Sequence, residues 1–347
     1  MGGPARQAVG RLCAALCLAA IASTAWAGEW GAMQLLGRTI EAGTSQRFPF
    51  VPDRTFEASY LNMPVFVARG AAAGPTLCLA AGVHGDELNG VEIARRAFSG
   101  IDAATLRGTV IALPAINAEG VRSGNRYLSD RRDLNRAFPG SEGGSVARLI
   151  AYRLFTEVLV HCDALVDLHT ASDKRTNLPQ IRADISDPEI RELAIHFGTG
   201  IVIAGKGPEG SLRREAAKAG IPAIIYEAGA PHRFQEHEIA RGVAGIESVM
   251  AYFSMADRPT QEVPEARVYE RSRWVRVSRR EGGFFFPEAV IGDTVKKGET
   301  LGRIIDPLTD ETHTVVSSAS GEIIGMAFSR PVLPGYALYH VAWHTDD

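Results

Sequence analysis

The chain lacks most of the features that would assign it to a specialised class. Its net formal charge is only −3 over 347 residues, and no stripe of Lys and Arg interleaves with aromatics, so nucleic acid is not an expected partner. It has no internal repeat and no low-complexity segment. The apolar run 12–22 is too short to serve as a durable transmembrane anchor. Cysteine is scarce, with four in all, and two of these, Cys13 and Cys17, lie in that same N-terminal run. The other two, Cys78 and Cys162, each fall within a stretch expected to be a core strand. An oxidising compartment would permit a bond between them, but core strands rarely offer the required geometry, and they are read here as two inert buried thiols.

What is present at the N-terminus has a clear form. Arg6 and Arg11 precede a run rich in Ala, Leu and Cys, and Ala25-Trp-Ala27 closes it with an A-x-A pattern. This is the form of a secretory signal peptide, with cleavage expected after Ala27. Leu16 before Cys17 argues against a lipoprotein site. The mature protein is therefore expected to be periplasmic or secreted, with no membrane attachment after cleavage. An apolar content of 46% and a charged content of 22% describe an ordinary globular protein, and the length suggests two domains.

From about residue 70 to 255 short apolar runs, at 76–81, 109–113, 164–168, 200–204 and 223–226, alternate with amphipathic helical stretches. Ser145, Asp187 and Ser211 are expected to cap three of these helices. The alternation predicts an α/β fold: a mixed, largely parallel sheet flanked by helices, over residues 28–256. A polar, Pro-bearing linker is expected over 257–268. Residues 269–347 show short strands and Gly turns without helical period, a small C-terminal all-β domain. Residues 292–302 resemble a turn of the lipoyl-like β fold, without an attachment lysine.

The chemistry-bearing residues fall at predicted strand ends, where ligands bind in open α/β sheets. His84 and Glu87 sit on a Gly-rich turn between the strand 76–81 and the helix that follows. His169 ends the strand 164–168. A His/Glu/His set supplies three metal ligands and leaves one position open for water. Glu227 follows the strand 223–226, and beside a metal a carboxylate is the group needed to take a proton from water and return it to a leaving group. The loop 124–140 is dense in Arg and Asp, and Asn135 beside Arg136 suits a carboxylate. His161, His232 and His237 are left either as structural or as supports behind the ligating residues.

His84-x-x-Glu87, Asp133-Leu-Asn135-Arg136-x-Phe-Pro-Gly140, Asp167-Leu-His169-Thr and Glu227-Ala-Gly229 occur in one order. Together they resemble the succinylglutamate desuccinylase/aspartoacylase family, related to the zinc carboxypeptidases, over roughly residues 70–345. The resemblance implies a zinc carboxypeptidase-like fold. It implies one zinc per chain held by His84, Glu87 and His169, with Glu227 as general base and then proton donor. It also implies that Arg126 polarises the scissile carbonyl, that Asn135 and Arg136 hold a substrate carboxylate, and that Asp133 orients His84. The expected activity is hydrolysis of a linear amide, the deacylation of an N-acyl amino acid. An exported zinc carboxypeptidase or amidase acting on peptides or cell-wall fragments is the alternative.

Overall fold

The computed structural model describes residues 30–52, 62–257 and 264–345. The expected signal peptide at 1–27, with Cys13 and Cys17, and residues 258–263 of the expected linker lie outside them.

In chain order, β1 (Met33–Leu35) and β2 (Arg38–Ile40) form a separate two-stranded ribbon. They are followed by β3 (Thr44–Phe50) and β4 (Met63–Arg69), then β5 (Ala72–Ala81), which leads into α1 (Leu88–Ser99). Next come β6 (Arg107–Leu113), α2 (Ala118–Ser123), α3 (Val146–Glu157) and β7 (Ala164–His169). The helical part ends with β8 (Arg175–Ala183), α4 (Pro188–His196), β9 (Ile201–Ala204), α5 (Leu212–Lys218), β10 (Ala223–Gly229) and α6 (Glu236–Tyr252). The remaining regular elements are strands: β11 (Arg267–Tyr269), β12 (Arg271–Arg276), β13 (Gly283–Pro287), β14 (Thr294–Val295) and β15 (Thr300–Ile305). They end with β16 (Thr312–Val316), β17 (Gly321–Ala327), β18 (Pro331–Val332) and β19 (Ala337–Trp343).

The expected α/β architecture is present. The sheet centre runs β10-β7-β5-β6 with every pairing parallel. β4 and β3 add an antiparallel edge on one side, and β8 an antiparallel neighbour on the other. The central strands are apolar throughout because helices cover both faces. Alternation along β5 divides its side chains between two cores. Leu77 and Leu79 join Ile93 of α1 and Ile246 of α6, while Cys78 and Ala80 join Ile150 of α3 and Leu212 of α5. Among the described residues no helix is long and apolar enough to cross a membrane.

β17 pairs with β8, so β12, β19 and β17 extend the same sheet into the C-terminal part. A second sheet, β16-β15-β13-β18, closes a small core around Phe285, Leu301, Ile304 and Tyr339. Arg267 and Val268, expected in a linker, are instead strand residues of β11 and pair in parallel with β9. Strand β8 has no counterpart in the expected pattern.

Two caps form as expected. The Ser145 hydroxyl accepts from the Arg148 N–H, and the Asp187 carboxylate accepts from the Glu189 and Ile190 N–H groups. The third differs: Ser211 Oγ donates to the Pro208 carbonyl at 2.7 Å, and it is Asn135 Oδ1 that accepts from Leu212 N at 2.8 Å.

The two remaining cysteines also differ from expectation. Cys78 and Cys162 form a disulfide, with Cα atoms 5.7 Å apart. Cys162 is not inside a strand; it caps the 3-10 turn Leu159–His161 that leads into β7, so its side chain is free of the sheet's alternation and meets Cys78 on the neighbouring strand. The bond closes a loop of 84 residues. Cys78→Ala/Cys162→Ala is expected to be less stable by about 2–5 kcal/mol, read as a lower midpoint in denaturant unfolding. An unchanged midpoint would mean that the bond adds nothing to the folded state.

Candidate active site

The strand order places three chain segments side by side. In the parallel register Ala81 pairs with Leu168, and His169 pairs with Glu227. The turn after β5, the last residue of β7 and the end of β10 therefore meet at one edge of the sheet. Gly82 turns the chain away from β5 at φ +60°, a conformation that suits glycine. Gly85 serves a different need, close approach, because a Cβ there would fall 2.0 Å from the Gly120 carbonyl carbon.

Glu87 occupies the N-cap position of α1, yet its side chain makes no cap bond. Its carboxylate turns toward the two histidines instead. Oε1 lies 2.8 Å from His84 Nδ1 and Oε2 lies 2.7 Å from His169 Nδ1. Arg126 Nη1 donates to Oε1 at 2.9 Å, and the Thr170 N–H donates to Oε2 at 3.2 Å. The far nitrogen of each imidazole faces a second carboxylate: His84 Nε2 is 3.1 Å from Asp133 Oδ1, and His169 Nε2 is 2.9 Å from Asp167 Oδ1. All three residues are buried, with exposures of 4% or less.

The electrostatics follow from this nesting. Burial resists ionisation of Glu87, but His84 and His169 outweigh it and hold the carboxyl well below its usual range. Burial likewise disfavours an imidazolium at His169, and Asp167 and Glu87 overcome it, raising its pKa well above the usual value. A proton and a metal ion would thus compete for the same nitrogen lone pairs.

The donor set fits a divalent transition metal. One carboxylate and two imidazoles each offer a ligand atom, and these atoms lie within 4.8 Å of one another. A carboxylate behind each imidazole is the usual arrangement for metal-ligating histidines, fixing tautomer and ring orientation. Asp167 is fully buried, and its Oδ1 lies 2.9 Å from His169 Nε2; a cationic centre across His169 accounts for such a group.

A cleft of about 520 Å³ opens beside the cluster. It is lined by His84, Glu87 and His169, by Glu227, Asn135 and Arg126, and by residues of the C-terminal strands including Trp274 and His340. Every candidate catalytic, substrate-binding or metal-ligating residue from the sequence lines this cleft, and Asp133, expected to orient His84, stands behind it.

A family model for the succinylglutamate desuccinylase/aspartoacylase catalytic domain matches residues 73–253. The chain belongs to this family. N-alpha-acetyl-L-2,4-diaminobutyric acid deacetylase of Halomonas elongata is 27% identical over 279 residues, 76% of this chain and 80% of that protein. The structure of a succinylglutamate desuccinylase/aspartoacylase from Rhodobacter sphaeroides is 25% identical, with a TM-score of 0.78 over 89% of this chain and 98% of that one. The ectoine utilization protein EutE (DoeB) of Ruegeria pomeroyi, in a product-bound structure, shares the fold at 22% identity and a TM-score of 0.79, over 87% of this chain and 97% of its own.

In this member of the succinylglutamate desuccinylase/aspartoacylase family the cleft wall carries several groups that the sequence did not single out. Arg175, Arg182, Arg213 and Arg273 line it beside the expected Arg126 and Arg136, so six arginines face the carboxylates of Glu87 and Glu227. Arg213 is 5% exposed. Its Nη1 donates to the Gly205 carbonyl at 2.9 Å, and its Nε has no hydrogen-bond partner among the described residues. Burial and the neighbouring Arg182 push its pKa down to about 10, so it stays charged at neutral pH. His340 stacks on Trp274, with ring centroids 4.6 Å apart; burial, with Arg182 beside it, pushes its pKa down to about 3 and keeps the ring neutral. Asp167 was visible in the Asp167-Leu-His169 motif but had been given no role. Arg213 and His340 had no local signal, since one lies on a short helix and the other on a C-terminal strand.

Proposed function

We propose that this chain is a zinc-dependent hydrolase that removes the acyl group from an N-acyl amino acid. The observation that carries the reading is the convergence of His84, Glu87, His169 and Glu227 on one arginine-lined cleft in a member of this family. The exported compartment expected from the N-terminal sequence is part of the same proposal, and the Cys78–Cys162 bond is consistent with it.

His84, Glu87 and His169 would hold the zinc. Bound there it would supply Lewis acidity, lowering the pKa of a water to about 7 and polarising a carbonyl. Glu227, on the neighbouring strand end, takes the proton from the attacking water and passes it to the departing amine. Arg126 shares its guanidinium between Glu87 and Asp133; with five donors it keeps others for the carbonyl oxygen as charge develops. Asn135 spends its oxygen on the Leu212 N–H, which leaves its Nδ2 donors for a substrate carboxylate beside Arg136. The surplus of arginine over acid selects substrates that bear carboxylates.

The deciding assay compares N-acetyl- and N-succinyl-amino acids with short peptides on zinc-loaded protein. Turnover of the amino acid conjugates supports the reading; turnover of peptides alone assigns a carboxypeptidase or amidase instead. Within the same assay, Arg213→Met is expected to raise KM by roughly 10- to 100-fold with a smaller change in kcat, the loss of one charge-assisted bond worth about 1.5–3 kcal/mol. An unchanged KM would remove Arg213 from the substrate site.

A further inference from the structure

Both oxygens of Glu227 are held from β8. Asn177 Nδ2 donates to Oε2 at 2.6 Å, and Arg182 Nη1 lies 3.4 Å from Oε1. Asn177 is 4% exposed, and its own Oδ1 has no hydrogen-bond partner among the described residues. In the sheet it stands between Gly229 of β10 on one side and Gly325 of β17 on the other. Gly325 is what gives the amide its place. A Cβ there would fall 2.6 Å from Asn177 Oδ1, while its next neighbours, His340 Cβ and the Thr176 carbonyl, stand at 3.4 Å. The close approach is therefore directed at one side-chain atom.

A carboxylate that takes a proton from water and hands it to an amine must be aimed within a few tenths of an ångström. A glutamate with three rotatable bonds does not hold such an aim alone. A neutral donor at 2.6 Å on one oxygen fixes the plane of the carboxylate, and the other oxygen, in a looser pairing 3.4 Å from Arg182, is the one to take the proton.

We propose that Asn177 is the positioning residue for Glu227, and that the C-terminal β region supports turnover through it, by placing the side-chain-free Gly325 against the Asn177 amide. The inference rests on the reading of Glu227 as general base given above.

The test uses the full zinc-loaded chain. Asn177→Ala is expected to lower kcat by roughly 10- to 100-fold, the effect of a misaimed group, with KM and metal content unchanged. Gly325→Ala is expected to act in the same direction, and to add nothing once Asn177 is alanine. In a Glu227→Ala background neither substitution should change the residual rate appreciably, because residues that act as a unit are not additive. A second readout needs neither turnover nor a change at Asn177. In protein labelled with 15N-asparagine, one side-chain amide signal should lie downfield from its bond to a carboxylate and move upfield in Glu227→Ala. Rate losses that add in full in the Glu227→Ala background, or an amide signal that does not move, overturn the positioning role. Absence of wild-type turnover on every N-acyl amino acid overturns the functional reading instead, and the amide signal then still decides whether Asn177 holds Glu227.

Discussion

His169→Ala is expected to lose bound zinc and turnover together. The substitution removes one of the three proposed ligands and also strips Asp167 of the imidazole that faces it 2.9 Å away. Asp167 is fully buried, and a buried charge deprived of its partner costs about 3–5 kcal/mol. The variant should therefore unfold earlier as well as bind less metal. Asp167→Asn separates the two effects. It keeps the ligand and removes only the carboxylate behind it, so metal affinity should fall by roughly 10- to 100-fold while activity returns at high zinc. Mass spectrometry after dialysis reads the metal, and thermal unfolding with and without zinc reads the linkage, since an ion that binds only the folded state raises its stability. Full zinc retention in His169→Ala would show that the cluster is not the metal site.

The residues that meet at this cluster were legible because each sits where an apolar run stops. The runs at 76–81, 164–168 and 223–226 became the parallel strands β5, β7 and β10, and their carboxyl ends carry His84, His169 and Glu227. Burial on both faces makes such strands stand out, and the βα alternation then fixes which end faces the cleft. The strand between β7 and β9 left no such trace. Along β8 polar Asn177, Gln180 and Arg182 interrupt the apolar residues, and Pro179 argues against an interior strand. Pro179 is accommodated because β8 changes partners around it. Asn177 pairs with Gly325 of β17, Ile181 pairs with Val202 of β9, and β10 has a register shift between Glu227 and Gly229 at the same level. That pairing is a property of the C-terminal strands, more than 140 residues away in sequence, and no local pattern encodes it. The same holds for the disulfide: Cys162 meets Cys78 only because a 3-10 turn, rather than a strand, carries it. Ser211 shows the opposite failure, a good capping residue displaced by Asn135 from a distant loop.

Glu227→Gln is expected to lower kcat by roughly 100- to 10,000-fold, the usual contribution of general acid–base catalysis. KM and zinc content should stay near wild type, because Glu227 is not one of the three residues whose ligand atoms form the cluster His84, Glu87 and His169. The fold should tolerate the change. Glutamine keeps the volume and an oxygen that can accept from Asn177, and the charge lost opposite Arg182 is partly screened, since that guanidinium is 29% exposed. An equal fall in kcat and kcat/KM identifies a group that acts only in the transition state, whereas Arg213→Met should move KM instead. The two variants thus divide the cleft into a part that moves protons and a part that holds the substrate's charge. Undiminished turnover in Glu227→Gln would assign the proton to another group, and Asn177 and Arg182 would then be holding a carboxylate that has no part in the chemistry.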